Sequence, residues 1–329
     1  MPISTFENIP FDLEYWQKVA AEKYPNGLPE PYSDDPTQWL FHGHPKPSES
    51  PLHVAIARLL GYRWPAETDP EMELSSEAWD WILESEKLLS FADEDGIVCI
   101  PSVRGEGRMV DRVREVLAAA FGDEWSARLE DKLLFDLGYV KSNGSLKGDF
   151  EKFLRDEFFK SHCKLFHNRP FIWHIWDGEK DGFSALVNYH KLDRRNLERL
   201  IYSYLGPWIS KQERDKAENI PGAEKRLIAA QTLKEKLELI LKGEAPYDIY
   251  VRWRPLQEQA IGWNPDINDG VRLNIRPFVE AGVLRWNPPS IKWGKPDRGS
   301  DPVPNCSGTV VRHNDLHFTL EEKRKARGE

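Results

Sequence analysis

Cysteine is scarce in this chain. Cys99, Cys163 and Cys306 are the only three in 329 residues, an odd number set far apart. Such a set cannot build a disulfide framework and points to reduced thiols in a cytoplasmic location. No apolar run approaches the roughly 18 residues of a membrane-spanning helix, so no membrane partner is expected. The opening MPISTFENIPFDLEYW lacks the basic flank and apolar core of a signal peptide. No internal repeat is visible. Also missing are a Gly-rich turn of the kind that cradles a nucleoside or phosphate and any local motif for a Ser or Cys nucleophile.

What is present fits a globular protein of one large domain or two: 40% hydrophobic and 30% charged residues, with an unusual 13 Trp. The net charge of −9 is unevenly spread. Residues 1–150 carry 14 Lys+Arg against 28 Asp+Glu, net −14; residues 151–329 carry 31 against 26, net +5. An acidic first part joined to a mildly basic second part is compatible with nucleic-acid contact through the second part only.

The pattern divides the chain into an extended Pro-rich arm (1–50), an acidic helical domain (51–148), a mixed domain (149–305) and a tail (306–329) whose end, EEKRKARGE, is charged and expected to fray. Helices are expected over 51–62, opened by Pro51 and stopped at Gly61, and over 75–91, capped by Ser75 or Ser76. IVCIP (97–101) reads as a buried strand, with helices over 109–121 and 124–137 following. The polar SNGSLKGD (142–149) is the boundary by composition. An amphipathic helix over 150–166 precedes a hairpin, 171–176 and 183–189 around Asp177-Gly178 and Asp181-Gly182. Two long helices, 192–216 and 223–242, are separated by NIPG and closed by Gly243. The fold class is α+β: helix-rich, with a small mixed or antiparallel sheet around 171–189 and an irregular Trp/Arg-rich C-terminal part.

Several chemical motifs fail for lack of context. Asn287-Pro288-Pro289-Ser290 matches the adenine-methyltransferase loop except that Ser replaces the aromatic that would stack on a flipped base. His162, Cys163, His167, His174 and His190 lack the spacing of a zinc site, and no metal site is assigned. Asp266 with Glu321-x-Lys323 lacks the rigid spacing of a magnesium nuclease. No catalytic residue is assigned.

A basic and aromatic constellation carries the strongest residue-level signal. Arg252, Arg254, Arg272, Arg276, Lys292, Lys295 and Arg298 are interleaved with Trp253, Trp263, Trp286 and Trp293. Arginine can read guanine edges and lysine tracks phosphate; the indoles could equally be core. Lys191, Arg194, Arg195 and Arg199 form a second cluster, in which Arg195 and Arg199, four apart, share one helix face suited to phosphate.

The stretches PFIWHIWDGEKDGFSALVNYHKLDRRNLERLIYSYLGPWI (170–209) and YDIYVRWRPLQEQAIGWNPDINDGVRLNIRPFVEAGVLRWNPPSIKWGKPDRG (247–299) resemble the C-terminal target-recognition and spacer region of large adenine-specific DNA methyltransferases. These belong to BREX- and DISARM-like phage-defence and type IIG restriction-modification systems. DDPTQWLFHGHP (34–45), PLHVAIARLLGYRWP (51–65), CIPSVRGEG (99–107), VLAAAFGDEW (116–125) and FFKSHCKLFHNRPFIWHIWDG (158–178) look like further blocks, so the resemblance covers about residues 30 to 300. In that family the donor-binding Gly motif and the Asn-Pro-Pro-aromatic motif belong to the N-terminal half. The resemblance therefore implies the DNA-recognition part of a split or truncated methyltransferase, with double-stranded DNA and a catalytic subunit as partners. No cofactor is expected in this chain; S-adenosylmethionine would sit in the partner. An interaction scaffold of a defence complex, a standalone DNA-binding protein and an enzyme with a cryptic site remain open alternatives.

Overall fold

The computed structural model describes residues 12–25, 41–72, 74–244, 247, 255–266, 270–287, 300–302, 309–311 and 320–329. Its organising element is a three-stranded antiparallel sheet in the order β1-β3-β2. These strands are β1 (Ile97–Cys99), β2 (Ile172–Trp176) and β3 (Ser184–Asn188). The predicted hairpin supplies β2 and β3, with Trp173 opposite Val187 and Ile175 opposite Ala185. The Asp177 carboxylate holds its turn by accepting the backbone N–H groups of Glu179 and Phe183 at 2.9 and 2.7 Å. A Cβ at Gly182 would collide with that carboxylate, which its two hydrogen bonds hold in place, so glycine is favoured there. The third strand, β1, pairs Ile97 with Val187 and Cys99 with Ala185.

Side chains alternate across a strand, and here both faces are covered. Ile97, Cys99, Trp173, Ile175, Ala185 and Val187 enter one core; Val98, Ile172 and Leu186 enter another. The sheet is thus a partition between two apolar cores, which explains why its strands read as continuous apolar runs.

The helix α1 (Leu13–Lys23) buries none of its residues. The core facing Leu186 is built by α2 (Pro51–Leu59), α3 (Ser76–Glu86), α4 (Met109–Phe121), α5 (Ala127–Asp136) and α6 (Phe150–Asp156), with Phe158 from α7 (Phe158–Leu165). Ser75, Ser126 and Asp149 cap α3, α5 and α6 by accepting a backbone N–H three residues on; each such cap is worth about 1 kcal/mol. The expected single helix over 150–166 is two, broken at Glu157 (φ −126°). The break serves burial: Phe158 faces one core while Phe159 and Cys163 face the other. The polar turn at 142–149 leads directly into Phe150, Phe153 and Leu154, which pack into the same core as residues 41–139.

The opposite core is closed by α8 (Arg194–Arg199), a π-helical turn (Leu200–Leu205), α9 (Gly206–Ala217), α10 (Ala223–Lys242), α11 (Val271–Asn274) and α12 (Arg276–Glu280). The π turn has a local cause. Pro207 has no N–H to give, and Gly206 donates five residues back, to the Ile201 carbonyl. Gly243 ends α10 in the left-handed conformation (φ +71°), as its sequence position predicts.

Beyond α12, β4 (Ser300–Pro302) pairs with β5 (Thr309–Val311). The charged end of the tail does not fray: residues Leu320–Arg327 form α13, with Lys323 fully buried and Arg327 donating to the Gln259 carbonyl. Long aliphatic stems let charged residues cover apolar surface in this way.

Candidate nucleic-acid interface

The basic residues singled out from sequence fall into three groups. Arg252, Arg254, Lys292, Lys295 and Arg298 lie outside the described residues, as does the side chain of Arg272 on α11. Arg276 is committed: its Nε donates to Glu280 at 3.0 Å, one helical turn on, and its side chain is only 12% exposed. Arg195 and Arg199 project from α8 into solvent; Arg199 reaches Asn196 Oδ1 at 3.3 Å, and neither forms an ion pair among the described residues.

Their neighbours show why only these two are open. Lys191 donates to the carbonyls of Asp93 and Glu94, both at 3.1 Å. Arg194 Nη1 donates to the Leu241 carbonyl at 3.0 Å, clamping the C-terminal end of α10, where a cation is favoured. Arg285 donates to the Arg155 carbonyl and to Asp156, and stacks 4.0 Å above Trp176. Burial raises Asp156, but the hydrogen bonds and charges of Arg155 and Arg285 outweigh it and hold the carboxyl below its usual range.

Trp263, and Asn274 beside it, are structural. Trp263 is 1% exposed and packs between Trp173 and Phe278, with its indole N–H on the Asn274 carbonyl. Asn274 is fully buried and its amide donates to Tyr189 Oη and to the Asp266 carbonyl. Asn264 and Asn287, on the same C-terminal stretch, are exposed.

The histidines are woven into the fold. His162 Nε2 accepts the Ile172 N–H at 3.1 Å, and its ring stacks on His53. His174 Nε2 and Ser184 Oγ share a hydrogen bond across the sheet. Burial holds His53 down to about 4 and His174 to about 3, and pushes His162 well below the ordinary imidazole value. No group of three or more metal-ligating side chains occurs among the described residues.

Sequence inspection missed a carboxylate cluster on the loop that enters β1. Tyr204, on the π turn, donates to Asp95 at 2.9 Å. Arg104 stacks 4.8 Å over the Tyr204 ring, and Arg112 pairs with Asp93 at 2.9 Å. Burial, with the Asp93 carboxyl hydrogen-bonded beside it, pushes Asp95 up to about 6. Asn196 Nδ2 donates to the Asp95 carbonyl at 2.8 Å. The cluster ties β1 to α8 and the π turn, and so fixes the helix that displays Arg195 and Arg199. Its only signal in the sequence was Pro207, which marks a disturbed helix without saying what the disturbance holds.

No family model matches this chain. It is distantly homologous to two curated proteins. It is 25% identical over 199 residues to the adenine-specific methyltransferase BrxX of Escherichia coli O9:H4 (strain HS), covering 57% of this chain and 16% of that protein. It is 27% identical over 169 residues to the adenine-specific methyltransferase PglX of Lacticaseibacillus casei (strain Zhang), covering 50% of this chain and 14% of that one. The chain thus matches about a sixth of the length of these relatives. No helix among the described residues is long and apolar enough to cross a membrane.

Proposed function

We propose that this chain is the DNA-contacting part of an adenine-specific methyltransferase in a phage-defence or restriction-modification system, and that S-adenosylmethionine is held outside these residues by a catalytic partner. The observation that carries the reading is the distant homology, over half the chain or more, to two proteins that bear the adenine-specific methyltransferase name. The exposed Arg195 and Arg199 supply point contacts to the phosphate backbone, which position a protein on a duplex without reading its sequence. Residues 149–305 act as the target-recognition part. The partner then takes the adenine out of the stack for methyl transfer.

One observation favours a second reading, a protein-binding scaffold. Trp79 and Leu83, four apart on α3, are 45% and 58% exposed and lie on one helix face.

Photocrosslinking with labelled S-adenosylmethionine, on material co-purified from the native host, tests the first reading. The expected result is label on a second, catalytic chain and none on this one. Label on this chain at comparable yield would contradict it.

A further inference from the structure

A cleft on the far side of the sheet from Arg195 gathers unpaired lysines. It lies between the C-terminal end of α5, the turn that follows, and α7, and has a volume of about 210 Å³. Tyr139 and Phe153 line its apolar side, and Lys147, Lys160, Ser161 and Lys164 its polar side. The turn is rigidly made: Lys141 N–H donates to the Ser145 carbonyl at 2.8 Å, Lys147 N–H to the Tyr139 carbonyl at 3.1 Å, and Val140 pairs with Leu146. Lys160 and Lys164 stand four apart on α7 and share a face, where their like charges repel.

Most arginines among the described residues already hold a carboxylate or a carbonyl. These three lysines do not. Lys147 has its ammonium 5.9 Å from the Tyr139 ring centre, and among the described residues Lys147, Lys160 and Lys164 make no ion pair. Glu157 also lines the cleft but comes within pairing distance of none of them, so the lining itself sets three ammonium groups and a hydroxyl donor against one carboxylate; Asp149 and Asp156 also act on Tyr139. Compact ammonium groups on flexible stems suit the point-charge recognition of phosphate.

We infer that this cleft takes one phosphodiester of a DNA backbone, as a second contact point remote from Arg195 and Arg199. The inference rests on the reading that the chain contacts DNA. The cleft's volume of about 210 Å³ leaves room for one phosphate group. The contact orients the duplex and carries no sequence preference.

The test is duplex binding by fluorescence anisotropy across about 50–200 mM salt, for the wild type and the triple variant Lys147→Gln/Lys160→Gln/Lys164→Gln. Binding by the variant is expected to weaken about tenfold, equally for unrelated duplex sequences, and its log–log salt slope to fall in magnitude by about one. The three side chains sit at the surface, and thermal melting checks the fold; Lys164→Glu alone is the second variant if the triple one does not fold. Wild-type affinity and slope in the variants would overturn the cleft while leaving DNA contact intact. No duplex binding by the wild type would overturn both. Wild-type binding of inorganic pyrophosphate through these lysines, without duplex binding, would make the cleft a free-anion site and overturn the DNA assignment.

Discussion

The irregular second half and the lysine shelf at 139–164 both carry positive charge, yet they differ in what that charge already holds. Arg194, Arg276 and Arg285 are spent on carboxylates, helix-end carbonyls and an indole face. Lys147, Lys160 and Lys164, which straddle the boundary between the acidic and the basic part, make no ion pair among the described residues. The planar guanidinium fork satisfies fixed acceptors well and so is drawn into structure, whereas a flexible ammonium is easily left in solvent. Summed charge per segment therefore misleads about where an anion can bind. The partners of each cation decide it.

The comparison is broken most severely by removing a committed cation from the interior. Arg58 is 2% exposed, donates to the Gly43 carbonyl and to Glu67 at 2.7 Å each, and stacks 4.3 Å from the Trp64 ring centre. Arg58→Ala leaves the buried Glu67 carboxylate without this partner and is expected to cost about 3–5 kcal/mol, read by chemical denaturation. A loss under about 1 kcal/mol would mean that the interior absorbs the charge through water.

Acid tests the opposite case, a charge forced on a site with no partner. Both ring nitrogens of the buried His53 are without hydrogen-bond partners, and its pKa is held down to about 4 by burial. Between about pH 6.5 and 4 the unfolded chain binds a proton there that the folded chain refuses, so stability falls as pH falls. His162 and His174 act in the same direction. Asp95 and Asp177, raised by burial to about 6, act in the opposite sense: their folded forms take protons first, so their share of stability falls as pH rises from about 4 to 6. With three deeply buried imidazoles against two partly buried carboxyls, net loss in acid is expected. His53→Phe should be neutral or stabilising at pH 7 and should recover about 3 kcal/mol of the loss by pH 4. An unchanged acid-unfolding curve for the variant would place the acid sensitivity elsewhere.

A smaller effect is expected at Arg285. Its side chain is 20% exposed and bound to Asp156 and the Arg155 carbonyl, so Arg285→Ala should cost about 1–2 kcal/mol by denaturant midpoint. Loss of duplex binding without loss of stability would show that this arginine is free to serve DNA after all.

Much of the scaffold was legible in the sequence, because its signals are local. Ser75 as a cap, Gly243 as a stop and the two strands of the hairpin need only spacing and side-chain chemistry. The third strand was legible as a buried run but not as a partner of residues 185–187, since pairing across some ninety residues leaves no local mark. The break at Glu157 carries no Pro or Gly and exists because α7 must serve two cores. For the candidate interface, Arg195 and Arg199 could be found by their spacing of four. The burial of Asn274 and Trp263 could not, because composition treats a buried and an exposed amide or indole alike. The Arg276–Glu280 pair is written at helical spacing, and that spacing explains why this arginine was the wrong place to look for a free cation.

The smallest expected change in stability accompanies the most direct test of DNA contact. Arg195→Gln/Arg199→Gln removes two exposed cations and should alter stability by no more than about 0.5 kcal/mol. The decisive measurement is the affinity of the wild-type chain and this variant for duplex DNA across the salt series. The expected result is wild-type binding that weakens linearly on log–log axes as salt rises, and a slope smaller in the variant by about two. Absence of duplex binding by the wild-type chain at about 50 mM salt, where backbone contacts are strongest, would contradict the account.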